Sequence, residues 1–167
     1  MTDKQRCDNS HSTSADDVIK KRYRAKRGGG GGDCPPILSI RDAAAAEAEA
    51  HKWRESQKLG RDAGEAALQQ WYEEHWPDFC RFRALEHAEG QQAWREFDPQ
   101  RFGELYELVQ SKDPLLNEIL RKILFERWEN LDVLVWAFKH DEQIVDRVVR
   151  ILEILDVNSA RLEPQIA

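Results

Sequence analysis

At 167 residues, with 41% hydrophobic and 34% charged side chains, the chain has the length of one ordinary domain and enough apolar mass for its core. Its longest apolar runs are only a few residues, far short of the roughly 20 that a membrane-crossing helix needs, so no membrane span is expected. The net charge of −6 is unevenly divided: residues 1–32 hold eight Lys/Arg against four Asp, while residues 33–167 hold seventeen against twenty-seven Asp/Glu, and so acidic a body repels a phosphate backbone.

The chain begins MTDKQRCDNSHSTSADD, without the apolar stretch of a secretory signal, and Cys7, Cys34 and Cys80 show no CxxC spacing. A cytoplasmic setting is therefore expected, with neither a disulfide framework nor a thiolate zinc site. Up to Pro36 no apolar period is sustained, which predicts a disordered, basic and glycine-rich tail over 1–36. Gly28–Gly32 reads as a linker, because Asp33-Cys34-Pro35-Pro36 follows where a phosphate-binding loop would need Gly-Lys-Ser/Thr. Before it stand six cations: Lys20, Lys21, Arg22, Arg24, Lys26 and Arg27. They form a candidate anion-binding element for nucleic acid or a lipid surface, set against the plainer reading of a solvated tether. Val18, Ile19 and Tyr23 offer that stretch only a thin apolar stripe.

Helical signals start after the prolines. Asp42–Leu59 is rich in alanine and other strong helix formers, with Trp53 as the expected aromatic anchor and Ala43–Ala46 read as ordinary helix surface, the alternative being a place of close approach for a neighbouring helix or a partner chain. Ala66, Ala67, Leu68, Trp71 and Tyr72 mark a second helix over Asp62–His75, and Pro77 is expected to open a third that stops at Gly90. Trp94 and Phe97 fall in a connector, followed by a short helix over Pro99–Gln110. Asp113-Pro114 is the strongest cap, heading a helix with Leu116, Ile119, Leu120, Ile123, Phe125 and Trp128 on its apolar face. Leu131, Val133, Leu134, Val135, Trp136 and Phe138 predict a short helix too apolar to be exposed, and Asp141 caps a last one that buries Val148, Ile151, Leu152 and Leu155. With no period-two runs and no internal repeat, the fold class is all-α: an irregular array of about six to seven short helices in one domain over 37–162, with a C-terminal tail over 163–167.

Chemistry is sparse. His75, Cys80 and His87 form a nitrogen/sulfur set for a metal, but they lack the short ligand pairs that make zinc motifs specific, and Cys80 sits among Phe79, Phe82 and Leu85 as an inert core thiol would. Six tryptophans are more informative, since such rings anchor helix crossings and interfaces alike. The stretch around Pro77 alternates aromatics with cations, making Trp76, Phe79, Arg81, Arg83 and Trp94 the candidate protein-binding residues. The expected function is a helical protein-interaction or regulatory module, with another protein or itself as partner, no cofactor and no identified catalytic chemistry. A nucleic-acid accessory acting through the basic tail is the alternative, and a small helical metalloenzyme a third.

Overall fold

The computed structural model describes residues 14–26, 34–156 and 162–164. Among them are seven α-helices and no strand: α1 (Ala15–Lys26), α2 (Ile40–Leu59), α3 (Gly64–Glu89), α4 (Tyr106–Gln110), α5 (Pro114–Leu124), α6 (Asn130–His140) and α7 (Val145–Leu155). Single 3-10 turns at Pro99–Arg101 and Glu142–Ile144 precede α4 and α7.

α2 and α3 form the longer hairpin. Ser39 caps α2, its hydroxyl accepting from the Asp42 N–H, and Glu96 reaches over from the connector to accept from the Ser39 hydroxyl at 2.7 Å and the Ile40 N–H at 2.9 Å. Burial works against the Glu96 charge, but these donors outweigh it and hold its carboxyl below the usual range. Ile40, Ala44 and Ala48, spaced by four, make a narrow seam that packs with Trp71, Tyr72, Trp76 and Cys80. The alanines thus serve close approach within the chain, while Trp53, the expected anchor, is 64% exposed.

The separate helices expected on either side of Pro77 are one helix of 26 residues. Proline removes one helical hydrogen bond, at a cost of about 3 kcal/mol in a helix interior. Here Trp71, Tyr72, Trp76 and Cys80 lie on both sides of it along one buried face, and their burial outweighs that loss.

Past Gly90 the connector folds back along the end of α3. Gly103 N–H donates to His87 O at 2.8 Å and Leu105 N–H to Ala88 O at 2.9 Å, which satisfies carbonyls that the helix end leaves open. The two chain segments meet at glycines: Gly90 has φ +76°, Gly103 φ +72°, and a Cβ on Gly90 would lie 3.1 Å from the Gly103 Cα.

The second core joins α5, α6 and α7. Asp113 accepts from the Leu115 N–H at 2.9 Å and pairs with Arg147 of α7, as the Asp-Pro signal anticipated at the cap. Leu116, Ile119, Ile123, Val133, Ala137, Val148, Ile151, Leu152 and Leu155 are buried together. Beside them Lys122 is buried, its ammonium 4.2 Å from the Trp128 ring centroid, 4.7 Å from that of Trp136 and 3.2 Å from Glu118.

The expected disorder over 1–36 is corrected for residues 14–26. The Ser14 hydroxyl accepts from the Asp17 N–H at 3.2 Å, and α1 buries Ile19 and Tyr23 against Ala93 and Phe102. Its thin stripe suffices because the rest of the fold supplies a surface to cover it. Residues 1–13, the Gly28–Gly32 run and Arg27 lie outside the described residues.

Candidate interaction surface

The five residues expected to bind a protein are in large part internal. Trp76 is buried and its indole N–H donates to Leu162 O at 2.6 Å, so the chain at Leu162 lies against α3, packed on its aromatic face. Trp94 is buried, its indole N–H directed at Glu86 at 3.2 Å. Arg83 lies between the Phe79 ring, 4.6 Å away, and the Trp94 ring, 5.1 Å away, with its guanidinium on Glu86 at 2.7 Å. Arg81 is half-buried and reaches toward Glu129 at 3.9 Å. Phe79, Arg83 and Trp94 are therefore brought together as a packed aromatic and cation stack, with Trp94 buried and Phe79 and Arg83 half-buried.

The candidate metal ligands do not converge. His75 is exposed beside Glu74, Cys80 is fully buried, and among the described residues no group of three or more His, Cys, Asp or Glu is arranged to hold a metal ion. Burial pushes the Cys80 thiol up to about 11, leaving it protonated and inert. His87 is buried with both ring nitrogens committed: Nδ1 accepts from the Trp94 N–H at 3.1 Å and Nε2–H donates to Asp98 O at 3.0 Å. The metalloenzyme reading loses its ligands.

Of the basic residues, Arg22 donates through Nε to Phe102 O at 2.9 Å and approaches Glu104 at 3.8 Å. Lys26 lies 5.4 Å from the Tyr106 ring centroid, and burial together with the neighbouring Arg22 lowers its pKa. Lys20 pairs with Asp16 at 3.8 Å, while Lys21 and Arg24 face solvent. Part of the basic element thus fastens α1 to the body.

A different feature stands out on α6. The helix buries Val133 and Ala137 toward α7, yet Leu131 is 70% exposed, Val135 42% and Phe138 62%. These three positions follow i, i+4, i+7 and so share one stripe, on the side away from the core. Phe125, at the end of α5, is 79% exposed. The expectation that Phe125 and the whole of 131–138 would be covered is corrected: α6 is apolar on two faces, and the fold has a neighbour for one. The signal was present in the sequence, since apolar residues at 131, 133, 135, 137 and 138 cannot all point the same way on a helix.

Among the described residues no helix is long and apolar enough to cross a membrane. No family model, curated protein or solved structure matches the chain.

Proposed function

We propose that the chain is a helical protein-interaction module that works through the outer face of α6 in a cytoplasmic setting. The observation that carries this reading is the stripe Leu131, Val135 and Phe138, left in water on a helix whose other face is well packed. Covering a fully exposed side chain of this kind is worth about 1.5–3 kcal/mol, so a partner that laid an apolar surface across the stripe would gain enough for specific binding. Exposed apolar side chains scattered singly need no explanation, whereas three in helical register form a surface of the kind that interaction helices use. Cys34 and Cys80 are both free thiols, which fits a reducing compartment.

The test compares proteins retained from cell extract by the immobilised full chain and by a Leu131→Asp, Phe138→Asp double variant, with helical content checked by circular dichroism. A specific set retained by the wild type and lost by the equally folded variant is the expected result. Identical retention by both would remove the α6 face from the function.

A further inference from the structure

We propose that the occupant of the α6 face is a second copy of this chain, docked antiparallel about a two-fold axis that passes beside Val135. The inference rests on the reading of α6 as the interaction surface and adds the identity of the partner.

The first argument is symmetry within the helix. At about 100° per residue, Leu131, Val135 and Phe138 fall within roughly 60° of arc, with Val135 near the midpoint along the axis. If α6 is turned end for end against itself at Val135, Leu131 of one copy meets Phe138 of the other, and each Val135 meets its equivalent. A large ring then packs beside a branched aliphatic side chain at both ends, with the smallest residue at the closest approach.

The second argument is charge. Asp132 and Lys139 lie on the same flank of the stripe, about 20° of arc apart, one toward each end of α6. A two-fold axis perpendicular to antiparallel helices keeps equivalent flanks on the same side, so Asp132 of each copy meets Lys139 of the other, twice per dimer. A parallel pairing would put those flanks on opposite sides and lose both contacts. Asp132 is held in place, one carboxylate oxygen accepting from the Glu129 N–H at 2.9 Å, and both residues are exposed. Among the described residues no ion pair involves Lys139.

The third argument is what the chain itself can offer. Residues 1–13, 27–33, 157–161 and 165–167, which lie outside the described structure, contain no helical apolar repeat that would match the stripe. The surface available is small, three exposed apolar side chains and their flanks, which places it at the low end of the interface size range. So small a contact makes a reversible dimer, not a permanent one.

Sedimentation equilibrium of the full chain over roughly 1–500 µM tests this, a range that spans moderate to weak self-association. The wild type should pass from monomer to dimer. Val135→Asp, which sets two carboxylates against each other at the axis on a half-exposed position, should weaken association at least about tenfold. Lys139→Glu alone should weaken it, and mixing K139E with D132K chains should restore pairing as a heterodimer, since each restored contact joins opposite charges. A Leu131→Cys chain mixed with a Phe138→Cys chain should cross-link residue 131 to residue 138 on oxidation, which a parallel pairing cannot give and which reports on pairing even if a charge variant folds poorly. A wild type that stays monomeric throughout overturns the inference, as does a dimer that V135D leaves intact. A monomer that still retains from extract a partner lost by the L131D/F138D variant would remove the self-pairing and leave the interaction reading standing. A monomer with no such partner would remove both.

Discussion

His87 joins three segments at once: it rides on the last turn of α3, accepts from the Trp94 backbone and donates to the Asp98 carbonyl, with Phe97 and Phe102 packed edge-on against its ring. Burial, its main cause, depresses the pKa below the usual imidazole value of 6.5; the Asp98 contact partly opposes the shift and Arg22 adds to it. The neutral form is therefore favoured in the fold, while the unfolded chain protonates near 6.5. Stability is complete above that pH and falls as pH drops below it, by up to about 1.4 kcal/mol per pH unit until the folded imidazole also protonates. Glu96, whose carboxyl is held below its usual value of 4.5, adds a second loss below that pH. We expect thermal unfolding midpoints to be flat between about pH 7 and 8, below the range where the unfolded Cys80 thiol ionises, and to decline from about pH 6.5 downward, with the upper part of that decline flattened in His87→Gln. An unchanged midpoint down to pH 5 in the wild type would refute this account. None of this was legible in the sequence, where His87 stood out only as a candidate metal ligand with His75 and Cys80; what decides its role is the fold-back of residues 93–98, which no local pattern encodes.

Among the elements, the most legible were those whose apolar spacing agrees with a cap. Asp113-Pro114 heads α5, which buries Leu116, Ile119 and Ile123 as expected but ends at Leu124, before Phe125 and Trp128; Asp141 accepts from the Gln143 N–H at 2.9 Å ahead of α7, which buries all four expected residues. The misreadings arose where tertiary contacts override a local signal. Pro77 reads on local grounds as the first turn of a new helix, but the aromatic face of α3 carries one helix through it. α1 has a stripe too thin to stand alone, and Ala93 with Phe102 completes it. Burial in α6 was overestimated because a count of apolar residues says nothing about how many neighbours the fold provides. Pro77 gives a direct check. It is exposed, so Pro77→Ala should restore a helical hydrogen bond without disturbing the packed face. Some of that gain is offset because proline also stiffens the unfolded chain. A net stabilisation of about 1–2 kcal/mol is expected in urea unfolding. A destabilised P77A would mean that the proline shapes α3 in a way its partners require.

At the scale of the whole molecule, a basic helix is docked on an acidic body, and this arrangement bears on the nucleic-acid alternative. Phosphate binding through Lys20, Lys21, Arg22, Arg24 and Lys26 would need those cations free together. Arg22 is held by Phe102 O and Glu104, Lys26 leans over Tyr106, and Lys20 pairs with Asp16. Lys21 and Arg24 remain toward solvent, while the field of the body repels the polymer. Each phosphate neutralised contributes about −0.9 to the slope of log K against log salt on a duplex, so a docked α1 with two or three available cations sets a slope of about −2 to −3. Binding that weak should vanish near 0.15 M salt. Fluorescence anisotropy of a labelled duplex across a salt series reads the slope directly. A value of about −5 or steeper with the intact chain would mean that α1 leaves the body to bind, and that the contacts of Ile19, Tyr23 and Arg22 are a latch rather than a permanent dock. Ile19→Asp separates the two outcomes: releasing α1 should steepen the slope if docking is what withholds the cations, and leave it unchanged if the helix is already free in solution.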